Sequence, residues 1–357
     1  MLGPLRENAH SICLRSLPIY ELVCYRVPLK EGVDAEMGPH PKPNVVVSKC
    51  LEFEACRYNG QMIHDAFVRK LEKHVDYVPV CPEVAIGLGV PRFPIRIVSP
   101  KERRLIQPTT GRDITEDMNR FCEEFLSSLN RVDGFILKFR SPSCGFKDVR
   151  IYQKSEKSPA VDKGAGFFGA SVLERFPGMA LEDEGRLRSL KIREHFLTKL
   201  FTLAKFQTVK KSNEIRELAR FHTESKLLLM SYNQGEMRLL GNLVANHEKR
   251  PLSEVLTNYE DHLQKAMDAP PRRTSNINVF MHILGYFSKE LSKNEKQFFL
   301  ETLELYREGR VPFTSALGLA KSWAVRFQNQ YLLSQSFFDP YPNDLMEWSD
   351  AGRPIEL

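Results

Sequence analysis

Asn44-Val45-Val46-Val47-Ser48-Lys49-Cys50-Leu51 opens with a short apolar run, rich in β-branched side chains, and reaches a cysteine just beyond it. Runs of this length and composition read as buried strands. The arrangement returns twice: Val78-Pro79-Val80-Cys81-Pro82-Glu83 closes a strand over 76–80, and Ser141-Pro142-Ser143-Cys144-Gly145 follows one over 134–139. A helical pattern over 60–73 separates the first two strands, and another over 117–129 precedes the third. Strands alternating with helices predict an α/β domain built on a parallel sheet. In such sheets ligands collect in the crevice beyond the carboxyl ends of the strands. Three thiols at three strand ends are therefore expected to share one site.

The chain has 7 cysteines among 357 residues, an odd and sparse number that argues against a disulfide framework. No basic segment followed by an apolar core stands near its start, and no run approaches membrane-spanning length. A reducing cytoplasm is the expected setting, where clustered cysteines mean metal binding or catalysis more often than bridges. Structural zinc favours paired Cys-x2–4-Cys knuckles, and no such knuckle occurs among these three cysteines. An iron–sulfur cluster needs thiolates without demanding close spacing. From the residues alone, cluster, zinc (with His64 or Cys56 as a fourth ligand) and plain buried cysteines all stay open.

Five short blocks narrow the choice. Ser48-Lys49-Cys50-Leu51, Cys56-Arg57-Tyr58-Asn59-Gly60, Cys81-Pro82-Glu83-Val84 with Gly87, Leu88, Pro91 and Arg92, Gly111-Arg112-Asp113-Ile114-Thr115 and Ser141-Pro142-Ser143-Cys144-Gly145 stand in this order within 43–177. Together they resemble the thiouracil desulfidase family. The resemblance implies a Rossmann-like fold, removal of sulfur from thiolated pyrimidines, and a [4Fe-4S] cluster held by only three cysteines. Matched block by block, those ligands are Cys50, Cys81 and Cys144. Cys56 departs from the pattern, adding a thiol where many relatives carry an apolar residue.

With three protein ligands, one iron stays open for the substrate's thiocarbonyl sulfur, a soft donor suited to it. Lewis-acid polarisation of C=S then favours addition of water and loss of hydrosulfide, which requires a proton acceptor and a proton donor. Glu83, two residues past a ligand, is the candidate acid/base; the competing reading is a carboxylate at the start of the next helix. Ser141 and Ser143 are candidates to hydrogen-bond cluster sulfides, or else cap their own turn. Lys138 and Arg140 either tune the cluster's charge or are ordinary surface cations. Arg57 and Arg92 are expected to fix loops by pairing with carboxylates, and Asp113 to cap the helix starting near Thr115.

Four segments are expected: an extension over 1–42, the desulfidase domain over 43–180, an all-α domain over 186–342 and a tail over 343–357. Past about Arg186 apolar residues recur at helical spacing, as in Phe196, Leu197, Leu200, Phe201 and Leu203, or Val279, Met281, Leu284 and Phe287. Ser253 and Ser292 read as helix starts. Six to eight helices fit, and this half resembles the helical domain of YbgA type that is often fused behind desulfidase domains. From Lys191 to Lys226 nine Lys/Arg face four Asp/Glu, in a chain whose net charge is +6. Such an excess is usually a solvated helix face. Beside a domain resembling an enzyme for thiolated pyrimidines, it becomes a candidate RNA surface, with Lys210, Lys211, Arg272 and Arg273 as its cations. Tyr232, Trp323, Phe327 and Tyr331 are either base-stacking or core residues, core being preferred for Trp323 and Phe327. The expected activity is conversion of 4-thiouridine in tRNA to uridine. Desulfidation of free thiouracil or thiouridine is the runner-up, and a nucleic-acid-binding iron–sulfur redox sensor without turnover is a third reading.

Overall fold

The computed structural model describes residues 40–99, 102–154 and 158–346; the expectations for 1–39 and 347–357 lie outside them. In chain order the elements are β1 (Asn44–Ser48), α1 (Ala66–Leu71), β2 (Asp76–Val80), α2 (Pro82–Ala85), β3 (Arg96–Val98), β4 (Arg104–Gln107), β5 (Arg112–Asp113), α3 (Thr115–Ser128), β6 (Gly134–Leu137), β7 (Val149–Tyr152), β8 (Ala160–Gly164), α4 (Phe167–Arg175) and β9 (Ala180–Asp183). Helices then follow without interruption: α5 (Leu190–Ser212), α6 (Ile215–Tyr232), α7 (Gln234–Ala245), α8 (Leu252–Ala266), α9 (Arg273–Tyr286), α10 (Lys293–Glu308), α11 (Phe313–Arg326) and α12 (Gln330–Leu333).

The main sheet runs β2-β1-β6-β9 and is parallel throughout, as the sequence predicts. Both of its faces are covered. Val45, Val47 and Ile136 pack against Phe67, Val68 and Leu71 of α1 and Phe196 and Leu200 of α5. Val46, Phe135 and Leu137 face the opposite layer, with Met118 and Cys122 of α3 and Phe168 and Val172 of α4. A strand buried on both sides must be apolar at every position, which is why 44–47 shows no alternation. A second sheet, β5-β4-β3-β7-β8, packs beside that layer. Its strands are two to five residues long, too short for the sequence pattern to expose.

Two predicted elements are shorter than expected. The helix over 60–73 forms only at Ala66–Leu71, capped by the Asp65 carboxylate, which accepts from Val68 N at 3.0 Å. The preceding stretch is instead pinned by a bridge between Leu51 and Ile63. The strand over 134–139 ends at Leu137, because Lys138 N donates to Ser48 Oγ (2.8 Å) and Phe139 N to the Glu184 carboxylate (2.8 Å).

Helix α5 spans 23 residues, about 35 Å, and serves two cores. Phe196 to Phe201 lie on the α/β sheet, while Leu203, Phe206 and Val209 enter the helical core. Tyr341 and Leu345 return to the α/β core, where Asp344 meets His74 Nε2 at 2.7 Å. Within the helical part Ser292 closes a capping box with Glu295, as expected of a helix start. Ser253 lies inside α8, whose first residue follows Pro251, and Met281 is exposed rather than buried.

Candidate active site

Register places the thiols. Ser48 pairs with Val80 and Val47 with Ile136, so the ends of β2, β1 and β6 lie side by side. Lys49 N donates to Val80 O at 2.8 Å, tying the first two ends together. Cys50 follows β1, Cys81 joins β2 to α2, and Cys144 sits in the turn after β6. All three are free thiols; Cys144 is buried and Cys81 half-buried.

A fourth thiol joins them. The loop leaving Cys50 doubles back, with Ile63 N on Cys50 O (2.8 Å) and Cys56 N on Glu54 O (2.8 Å). Cys56 is thereby delivered to the interior, 1% exposed, within hydrogen-bonding range of both Cys50 and Cys81. Its bond to the Cys50 thiol pushes its own pKa up to about 11. The Cys56 contact and burial raise Cys81 further, and burial pushes Cys144 up to about 12. The upward shifts of Cys56, Cys81 and Cys144 favour their protonated forms, so metal loading there must displace protons. Among the described residues no three His, Cys, Asp or Glu side chains converge on a point suited to one ion. An iron–sulfur cluster places a separate iron behind each thiolate, so its ligands surround a body of several atoms. A set of free thiols at neighbouring strand ends, buried at Cys50 and Cys144 and half-buried at Cys81, suits that need.

A chain of polar contacts runs beside the thiols. Glu83, in the first turn of α2, accepts from Arg92 Nε at 2.7 Å and from Ser143 Oγ at 2.7 Å. Ser143 Oγ lies 3.8 Å from Cys144 Sγ. The Arg92 side chain is only 4% exposed, and its Nη1 donates to Cys56 O (2.9 Å) and Gly89 O (3.0 Å). One guanidinium thus fixes the carboxylate and the Cys56 loop together, in keeping with the loop-fixing part expected of it. A carboxylate held by a hydroxyl and a guanidinium beside the thiols can take up and return a proton.

The other expected site residues divide. Ser141 Oγ accepts from Ser143 N (3.3 Å) and Cys144 N (3.2 Å) and contacts Ser143 Oγ (2.9 Å), so its hydroxyl is used in shaping the turn. Lys138 Nζ is paired with Glu184, which neutralises the charge expected to tune the site. Asp113 does serve the start of α3, accepting from Thr115 N at 3.0 Å. Ser48 was missed: its buried hydroxyl reaches the Cys144 thiol, and its place two residues before Cys50 was the available signal.

Of the candidate cations of the helical half, Lys210 and Lys211 lie in the last turn of α5, and Arg272 and Arg273 stand at the start of α9. Lys210 is paired with Glu260, while Lys211 is exposed. Both line a cleft of about 620 Å³ with 129–132, Phe176 and Met179, residues that precede β6 and β9. This is the amino end of the sheet, opposite the thiols. The Arg273 guanidinium lies against Gly309 and acts on Tyr306, as does Glu194 near the start of α5. Trp323 is core, packed on Phe287 and Phe299, and Phe327 also packs on Phe287. Tyr232 bonds His195 at 3.2 Å, and Tyr331 stacks on Tyr286.

A family model described as 2-thiouracil desulfurase matches residues 45–184, the stretch that carries Cys50, Cys56, Cys81 and Cys144. The uncharacterized protein YbbK of Bacillus subtilis (strain 168) is 32% identical over 109 residues, 28% of this chain and 72% of its own length. The chain belongs to the 2-thiouracil desulfurase family. It is accordingly an enzyme, a desulfidase. Residues 226–342 match a second model, described as a protein of unknown function (DUF1722). The uncharacterized protein YbgA of Escherichia coli (strain K12) is 26% identical over 148 residues, 41% of this chain and 88% of its own. A solved [4Fe-4S]-dependent thiouracil desulfidase, TudS, is 30% identical, with 41% of this chain and 93% of that chain covered and a TM-score of 0.34.

Proposed function

We propose that the enzyme removes sulfur from 4-thiouridine in tRNA, giving uridine, at a [4Fe-4S] cluster held by Cys50, Cys81 and Cys144. The observation that carries the catalytic part is the hydrogen-bonded series Arg92–Glu83–Ser143 ending 3.8 Å from the Cys144 sulfur. When bound, the cluster supplies a soft Lewis-acidic iron for the thiocarbonyl sulfur. Glu83 takes the proton of the attacking water and returns it to the substrate as hydrosulfide leaves, while Ser143 and Arg92 keep the carboxylate oriented. A sensor without turnover has no use for such a series.

Support for RNA comes from the fused helical part and from the exposed cations Lys211, Arg272 and Arg273, each able to neutralise a phosphate. The pairing of Lys210 with Glu260, and its place at the far end of the sheet, favour a second reading: free thiouracil or thiouridine as substrate. Anaerobic incubation of the reconstituted protein with bulk tRNA, followed by nucleoside analysis, decides between them. Loss of 4-thiouridine from the RNA, falling steeply with salt and weakened by Lys211→Glu, is expected. Turnover of the free nucleoside alone would replace the RNA reading with the second one. A brown protein that releases sulfide from neither substrate would leave the sensor.

A further inference from the structure

The two loops beside the Glu83 carboxylate carry exposed aromatic rings. Tyr58 is 45% exposed and Phe93 53%, although Tyr58 stands two residues past the buried Cys56 and Phe93 directly follows Arg92. Both backbones are fixed. Arg92 N donates to Tyr58 O at 2.8 Å, and the Tyr58 turn closes through Gly60 N on Arg57 O (2.9 Å) and Arg57 N on Gln61 O (3.2 Å). Phe93 O accepts from Nε2 of the buried Gln107 on β4 at 3.0 Å. The bond from Arg92 N keeps the Cα atoms of Tyr58 and Phe93 within about 11 Å of each other. A ring with two rotatable bonds on a pinned backbone offers contact area at little entropic cost. We propose that Tyr58 and Phe93 stack on the nucleotides flanking the thiolated base, so that this rim of the α/β domain recognises an unpaired RNA segment. This rests on the RNA reading above.

The thiolated base must leave its own stack before its sulfur can reach the thiols. Its chain neighbours then lose a stacking partner, and they stay one nucleotide away from the site. Two exposed rings at the rim replace what they lost. Arg92 ties this rim to the chemistry: its Nε orients Glu83, its Nη1 holds the Cys56 loop, and its N anchors Tyr58. Arg57, whose guanidinium lies 5.8 Å from the Tyr58 ring centroid, adds a cation that can neutralise a phosphate there. Every base has a π face, so stacking of this kind selects unpaired nucleotides rather than a sequence. A free pyrimidine has no flanking nucleotide to place on the rim.

The test measures kcat and KM, anaerobically and with reconstituted protein, for free 4-thiouridine and for a trinucleotide carrying 4-thiouridine at its centre. Wild type should show the lower KM for the trinucleotide. Tyr58→Leu and Phe93→Leu, which keep apolar bulk but remove the ring, should each raise that KM about 5–100-fold, with iron content and the kinetics of 4-thiouridine unchanged. Tyr58→Phe and Phe93→Tyr should restore it. An unchanged trinucleotide KM in both leucine variants would overturn the inference and leave the RNA reading intact, as would a wild type that prefers tRNA but not the trinucleotide. An equal rise in KM for free 4-thiouridine would overturn it too, assigning the rings to the target base. If a leucine variant takes up no cluster, photocrosslinking of wild type to a trinucleotide with 5-iodouridine at its flanks decides: adducts on Tyr58 or Phe93 support the inference, and their absence overturns it. Turnover of the free nucleoside alone by wild type overturns the RNA reading, and the inference with it.

Discussion

Glu83→Gln separates catalysis from architecture at this site. The amide keeps the length and volume of the side chain, and its oxygen can still accept from Ser143 Oγ or Arg92 Nε, both now at 2.7 Å. What disappears is the negative charge opposite a guanidinium whose side chain is 4% exposed. Stranding a buried charge outright costs about 3–5 kcal/mol. Arg92 retains the carbonyls of Cys56 and Gly89, so the expected loss is smaller, about 1–3 kcal/mol. Such a loss leaves the fold and the cluster in place. Removal of a general acid/base group slows reaction about 10²–10⁴-fold, which is roughly 3–5 kcal/mol of barrier. The assay is anaerobic single-turnover sulfide release from thiouridine, normalised to iron bound. Full iron content with a rate loss below about threefold would refute the acid/base role, since that is far short of what such a group contributes.

Cys50→Ser, Cys81→Ser and Cys144→Ser should each abolish iron binding on reconstitution, whereas Cys56→Ser should retain the cluster; the opposite pattern refutes the ligand assignment. Gly169→Ala would drive a methyl group into the carbonyl of Gly145 and to 2.9 Å from that of Cys144, where overpacking costs about 1–3 kcal/mol. A lowered Tm with weaker iron retention is expected, and an unchanged protein would show that the Cys144 turn does not depend on α4. Burial, with the neighbouring Glu182 and Glu184 carboxylates adding to it, raises Asp183 from 3.8 to about 6. The native state therefore prefers the neutral acid, and stability falls as pH rises through about 6. Asp183→Asn should stabilise the protein at pH 8 by up to about 3 kcal/mol, with the gain vanishing below about pH 4 in denaturant titrations; a gain independent of pH would exclude ionisation as its cause.

The α/β class, the parallel sheet and the three cysteines at neighbouring strand ends were legible from 44–51, 76–83 and 134–145 because each depends on local pattern. A strand buried on both faces must be continuously apolar, and a residue just past it must lie at the sheet's carboxyl edge. The capping box at Ser292–Glu295 was readable for the same reason. Partners far apart in the chain were not. Glu83 meets Ser143 across 60 residues, Lys138 is neutralised by Glu184 across 46, and Lys210 by Glu260 across 50. Charges and hydroxyls carry no periodic signature that names such partners. Only the packed chain shows that Cys56 turns inward to the other thiols, that α5 is shared between two cores, and that Lys210 and Lys211 stand at the end of the sheet opposite the thiols. Local sequence sets the elements and their ends, whereas the meeting of side chains from different elements is decided by how the layers close on each other.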